Sequence, residues 1–294
     1  MEKAKVYFTK EITPESLVKI YEKLGVELTG NVGVKVSTGE KGAKNYLKAD
    51  LIGPLVKKIG GTIIECNTAY PGKRNNVKEH LKVAEEHGFT SFAEVDIMDS
   101  EGDKIPVKKG KHLKYDIVGS HLDRYDSMLN LSHVKGHAMG GYGAALKNQS
   151  IGVASRNGKA YIHSCGKTES PIKCWMVRNE QKDFIESMAE AATAVRDYFE
   201  DNGKKIIYIN IMNAMSVDCD CDAHQGDPVM ADIGIAASLD PVAVDQACID
   251  MIWNSDDPGA TQLQARVDRQ EGRHILPYAE ELGLGTREYE IEEI

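Results

Sequence analysis

The sequence predicts an α/β fold, a mostly parallel sheet with helices on both faces, and three observations predict it. Apolar runs of strand length alternate with stretches whose apolar residues recur at helical spacing, the sign of repeated β–α units. Residues 205–214 (KIIYINIMNA) are apolar almost without interruption, as in a strand covered on both faces. Four loops of unusual composition, residues 37–45, 67–76, 132–164 and 216–227, each follow a predicted strand, so they should converge on one crevice outside the carboxyl ends of the sheet.

Taken in order, KAKVYFTK opens as a short strand. TPESLVKIYEKLGV follows as a helix with Thr13 as N-cap, Glu15 in its first turn and Gly25 at its close. NVGVKVST is strand-like, and a glycine-rich turn leads into the helix LKADLIGPLVKKIGG, stopped by Gly60 and Gly61. TIIECNTA is the next strand and NNVKEHLKVAEEHGF an amphipathic helix. FAEVDIMD and KIPVKKGKHLKYDIV read as strands with a turn at GDK, and YDSMLNLSHV as a buried strand. QKDFIESMAEAATAVRDYFEDNGK is the longest helix, closed by Gly203; after the apolar strand, DPVAVDQACIDMIWN is a buried helix with Pro241 in its first turn. The tail from about residue 255 reads as a peripheral helix and strand, and with no linker, repeat or low-complexity run, residues 1–294 read as one domain.

The bulk composition, 41% hydrophobic and 28% charged, is that of a globular protein, and a net charge of -9 without a lysine and arginine cluster argues against nucleic acid or an anionic membrane as partner. The N-terminus lacks an apolar segment before a cleavage site, and no window reaches the roughly 18 apolar residues of a spanning helix, so a cytoplasmic protein is expected. Six cysteines in such a chain are expected as thiols or metal ligands rather than as disulfides.

The segment 132–164 is dense in histidine, lysine and glycine, with no periodicity that would explain it as core. His137, Lys147 and His163 are its candidate catalytic residues, since histidine moves protons or binds metal near neutral pH. Gly141 and its neighbours let backbone approach a ligand. The loops TGEKG and NTAYPGKRNN place cations among amides after a strand, as anion-binding loops do, which makes Lys41, Thr68, Arg74 and Asn75 candidate cofactor- or anion-binding residues, with Arg74 offering the fork that suits a carboxylate or phosphate. In SVDCDCDAHQGDP, Cys219 and Cys221 stand among carboxylates; with Cys165 and Cys174 they make four thiols, enough for a soft metal or an iron–sulfur cluster, although the spacing matches no standard motif. Cys66 and Cys248 read as core, and His80, His87 and His112 as surface residues on predicted solvent faces.

SHVKGHAMGGYGAALKN, GVASRNGK and DIGIAASLDPVAVDQACIDMI together resemble the domain-of-unknown-function family 362, whose members often carry an inserted ferredoxin module; the insert is absent here, and Cys165 and Cys174 sit where it would be. More distantly, His137, Lys147 and His163 in that order are similar to the catalytic segment in the larger domain of the nickel-pincer lactate racemases. That resemblance implies His137 as acid/base, Lys147 as the anchor of a pyridinium-derived nickel cofactor and His163 as a metal ligand, on a fold like the N-terminal domain of those enzymes. It also implies a small-molecule carboxylate substrate, although the smaller racemase domain and its T-H-R loop have no counterpart here.

The expectation from both lines of reasoning is a metal- or cofactor-dependent enzyme acting on a small anionic substrate, with proton transfer next to a carboxylate as its reaction. The alternative is a redox protein in which Cys165, Cys174, Cys219 and Cys221 hold an iron–sulfur cluster, and a redox partner or a second copy of the chain would then be its partner.

Overall fold

In the computed structural model, which describes residues 3–99 and 102–294, strands and helices alternate as the hydrophobic periodicity requires. The first half runs β1 (Ala4–Thr9), α1 (Pro14–Lys23), β2 (Val32–Lys35), α2 (Ala49–Lys58), β3 (Thr62–Glu65), α3 (Val77–Glu86), β4 (Val95–Ile97), β5 (Gly102–Pro106), β6 (Tyr115–Gly119) and β7 (Ser127–His133). The second runs β8 (Lys135–His137), β9 (Gly141–Gly143), α4 (Ala145–Gln149), α5 (Arg156–His163), α6 (Gln181–Asp201), β10 (Lys205–Met212), β11 (Gly234–Ser238), α7 (Pro241–Trp253), α8 (Ala260–Arg269), α9 (Ile275–Glu281) and β12 (Tyr289–Glu293). The main sheet has eight strands in the order β12-β1-β11-β10-β7-β2-β3-β4. Every neighbouring pair is parallel except those made by β11, which is antiparallel to both β1 and β10.

The parallel centre is apolar on both faces, as expected for strands under helices on either side. Leu129, Leu131, Ile207 and Ile209 pack with Leu17, Ile52 and Leu55 on one face, while Tyr208 and Met212 join Ile185, Met188, Val244 and Ile249 on the other. The helix boundaries follow local chemistry. Thr13 accepts from Ser16 N at 3.1 Å while the Ser16 hydroxyl accepts from Thr13 N at 3.0 Å, a reciprocal cap; Asp240 accepts from Val242 N and Ala243 N at 2.8 and 2.9 Å ahead of Pro241. Among the described residues no helix is long and apolar enough to cross a membrane.

Residues 132–164 depart from the expected structureless loop: they hold the β8–β9 hairpin and the helices α4 and α5. The elements are too short for periodicity to show, and Asn157-Gly158 inside α5 imitates a turn. Ser155 caps α5 by accepting from Gly158 N at 3.1 Å, and Gly158 is required because a Cβ there would overlap the Ile117 carbonyl of β6. Strand β11 was concealed in the small-residue run GIAAS. The tail is more than peripheral, since Leu263, Val267, Ile275 and Leu276 enter the core and β12 pairs with β1 at the sheet edge. His80, expected on a solvent face, is fully buried, its Nε2 3.3 Å from Glu65; His112 is half-buried on Glu186 at 2.7 Å, and His87 stacks on Tyr46.

Candidate functional site

The carboxyl ends of β2, β3 and β7 and the loop after β10 open on one cavity of about 720 Å³, the size range of small-molecule sites. All four polar loops line it, through Ser37 and Lys41, Thr68 and Arg74, His137 and Lys147, and Cys219 and Cys221. The register explains the convergence. Lys35 lies opposite Asn130 and Ile211 opposite His133 in parallel ladders, so the loops after β2, β7 and β10 all leave from the same edge of the sheet.

The loop carrying the thiols is held from beneath. Asp220, with no exposure, accepts from His133 Nδ1 at 2.9 Å, Lys135 Nζ at 2.7 Å and Gln225 Nε2 at 3.2 Å. His133 Nε2 also lies 2.7 Å from the Asn213 carbonyl, so both of its ring nitrogens face acceptors. Burial alone would raise the Asp220 carboxyl; His133 and Lys135 outweigh it and hold the group well below the usual range. A β-turn closed by Asp222 N to the Cys219 carbonyl at 2.9 Å then brings the Cys219 and Cys221 sulfurs together while Asp220 is anchored below. Gly136 is needed beside it, because a Cβ there would overlap the Val217 backbone.

Above this turn the sulfurs meet donors. Cys219 Sγ accepts from Cys221 N at 3.4 Å and from Lys147 Nζ at 3.7 Å, and Cys221 Sγ lies 3.8 Å from His137 Nε2. The hydrogen bond from the Cys221 thiol, with help from Lys147 and His137, overcomes burial and holds Cys219 well below the usual thiol range; the same bond and burial push Cys221 up. Burial opposes the charge on Lys147, but the sulfurs raise it above the usual ammonium range.

His137 Nδ1 accepts from Met139 N at 3.2 Å and Gly140 N at 2.8 Å, which places the proton of the neutral ring on Nε2, toward the sulfurs. Burial, then Lys147, holds its basicity down. His163 reaches the cavity from the end of α5, stacked on Phe184 with ring centroids 4.7 Å apart, and its Nδ1 has no partner among the described residues. Burial, then His137 and Lys147, pushes it down to about 3, so it is neutral.

His137, Cys219 and Cys221 place one ligand atom each within 4.8 Å of one another, the spacing of a metal donor set. Their hydrogen bonds do not suit an ion. A histidine ligand offers a bare nitrogen to the metal and donates its other N–H outward; His137 has the reverse polarity, and an ammonium already flanks the Cys219 sulfur. The arrangement suits a hydrogen-bonded thiolate, and no metal or cofactor step is derived from it.

The other expected site residues divide. Thr68 and Lys41 line the cavity, Lys41 at its rim paired with Glu86 at 3.0 Å. Arg74 lines it too, but its fork is engaged: NH1 lies 3.2 and 3.1 Å from the Glu65 oxygens and NH2 3.4 Å from the Tyr70 hydroxyl. It braces two loops instead of standing free for an anion. Asn75 faces a separate depression with Asp99 and Arg156. Gly141 takes φ +68 in the hairpin, against Val267 and Gly272, outside the cavity. Cys165 is core, and the Cys174 thiol donates to the Pro171 carbonyl at 3.5 Å; neither lines the cavity, so the four thiols are not gathered.

Three cavity groups escaped the sequence reading. Lys35 and Glu65 end otherwise apolar strands, and a lone charge in a buried strand was the available signal. Lys159 stands four residues before His163, on the same face of α5, and could be seen only once that segment was read as a helix. Lys35 donates to the Val36 carbonyl at 2.6 Å and lies 3.7 Å from Glu65; burial pulls it down to about 8.

The family described as Domain of unknown function (DUF362) matches residues 32–250, a stretch that includes every residue lining the cavity. No curated protein matches. Among solved structures, the crystal structure of a Thermotoga maritima protein, a structural-genomics target, is similar with a TM-score of 0.38 at 13% identity, over 74% of this chain and 54% of that one. This chain thus spans about half the length of that protein.

Proposed function

This chain belongs to the DUF362 family, whose description assigns no chemistry, and from the site itself we propose that the protein is an enzyme that binds a small carboxylate-type anion in the cavity and moves a proton at the carbon beside that carboxylate. One observation carries the reading. In a chain of net charge -9, seven lysines and arginines line the cavity against four carboxylates, and the ammonium groups of Lys147 and Lys159 have no carboxylate partner among the described residues. Lys159 is 7% exposed and, among the described residues, donates only to the Ala154 carbonyl at 2.6 Å. Burying the Lys159 ammonium without a counter-ion is costly, and an anionic ligand would relieve that cost, whereas Lys147 already faces the Cys219 sulfur.

In this reading Lys147 and Lys159 hold the carboxylate and stabilise the negative charge that develops on it as the neighbouring carbon loses its proton. The Cys219 thiolate takes that proton. His137, with its Nε2–H toward the sulfurs, returns one and is reprotonated from the Cys219 thiol; the sequence expectation gave the proton transfer to His137 alone and set Lys147 and His163 on a cofactor or metal.

Calorimetry with a panel of small carboxylates tests the binding. Lys159→Met keeps the buried stem and removes the charge, and should weaken the best ligand roughly tenfold to a hundredfold, the worth of one charged hydrogen bond. Exchange of the ligand's carbon-bound hydrogen for solvent deuterium, followed by NMR, tests the chemistry and should vanish in Cys219→Ser. No carboxylate binding by the unaltered protein, or equal affinity in Lys159→Met, would remove the basis of the reading.

A further inference from the structure

The Cys219 and Cys221 sulfurs lie within 4.8 Å of each other at the end of one tight turn, both line the cavity, and Cys221 is the more exposed. Proton transfer uses one thiolate and needs no second thiol at that place. Metal binding would use both, but the polarity of His137 and the position of Lys147 oppose it. What two adjacent sulfurs, one of them flanked by a lysine ammonium and a backbone N–H, are arranged to do is form a bond to each other.

We propose that Cys219 and Cys221 are a thiol–disulfide exchange pair whose substrate is a small disulfide bearing carboxylates. Cys219 S⁻ attacks one sulfur of RS–SR, forming the Cys219–SR bond and expelling RS⁻. Cys221 then attacks the Cys219 sulfur, forming the intramolecular disulfide and expelling the second RS⁻, and the proton of the Cys221 thiol passes to one of the two leaving thiolates. Two electrons move from the protein to the substrate, giving RSH and RS⁻. Cys219 is the attacking sulfur because the donors converge on it; Cys221 is the resolving sulfur because it stands within 4.8 Å of Cys219 in the same turn. The anionic character of the substrate rests on the carboxylate-binding reading, through Lys147 and Lys159; the thiol step does not.

The closed ring also has a consequence for the other reaction, since a disulfide has no thiolate to accept a proton. The two activities exclude each other in one molecule.

The test uses the full chain, oxidised glutathione as the anionic disulfide and 2-hydroxyethyl disulfide as the neutral one, with intact-mass spectrometry and peptide mapping. The unaltered protein should lose two hydrogens and show a Cys219–Cys221 cross-link. Cys221→Ser should retain one half of the disulfide on Cys219, and Cys219→Ser should retain none on Cys221. Oxidised glutathione should react faster than the neutral reagent, and the excess should disappear in Lys159→Met. Equal labelling of the two single variants, absence of the cross-link in the unaltered protein, or a stoichiometric metal ion in the native protein that protects both thiols would overturn the pair. Equal rates with both disulfides would instead retain the pair and count against the carboxylate-binding reading, whereas no exchange alongside intact carboxylate binding would do the opposite.

Discussion

Asp220 is the group whose removal should reach furthest. Its carboxylate is fully buried and faces His133 and Lys135, both nearly buried themselves. Asp220→Asn keeps the shape but leaves these donors without a counter-charge, and breaking a buried ion pair from one side typically costs about 3–5 kcal/mol. For a chain of 294 residues that corresponds to a fall in Tm of roughly 5–8 °C. The cost has a pH signature. Since the folded-state carboxyl is held below its ordinary value, its contribution is fully present above the ordinary aspartate pKa of about 4 and is lost as pH falls below it, by about 1.4 kcal/mol per pH unit. Denaturant unfolding of both proteins from pH 7 to pH 3 should therefore show a constant gap at neutral pH that narrows in acid. A variant within about 0.5 kcal/mol of the parent, the ordinary range for an inconsequential surface change, or a gap indifferent to acid, would refute the idea that this carboxylate holds the thiol turn.

The remaining predictions concern stability around the same cavity. Asp116 is fully buried, with Oδ2 unpartnered among the described residues, and burial pushes its carboxyl up to about 7; a raised folded-state value gives stability that is present in acid and lost as pH rises toward 7. Asp116→Asn should thus gain over the parent by about 1.4 kcal/mol per pH unit from pH 4, levelling off above 7, and a gain independent of pH in denaturant titrations would contradict this. Arg74→Met should cost about 3–5 kcal/mol by leaving Glu65 short of its main partner; normal stability with lost carboxylate affinity would return Arg74 to the ligand-anchor role expected from sequence. Gly158→Ala should cost about 1–3 kcal/mol through overlap with the Ile117 carbonyl and weaken carboxylate binding, whereas an unchanged Tm would deny the close approach.

The fold was legible where one rule acted alone. Long amphipathic helices such as α6 and continuous apolar strands such as β10 advertise themselves by period, and the caps at Thr13 and Asp240 mark boundaries locally. Strand β11 was not legible, because alanine and glycine carry little strand preference and its place between β1 and β10 is decided by tertiary pairing. The convergence of the loops followed from the direction of parallel strands, but the partners within the cavity did not. Arg74 and Glu65 are nine residues apart and separated by a loop, and nothing in the order of residues says that a guanidinium will turn inward to a carboxylate instead of outward to a ligand. His80 shows the same limit: its helix is amphipathic, yet the polar residue it buries is bonded to a charge on a strand.

Lys159 and His163 depend on a contact made by neither of them. Because α5 rests directly on the backbone of β6, its distance from the sheet has no soft side chain to absorb error, and the hairpin of β5 and β6 acts as a depth stop for the two groups that reach inward from the helix. Changes in that hairpin, none of whose residues lines the cavity, would then adjust how large an anion the cavity accepts without altering a single group that touches it.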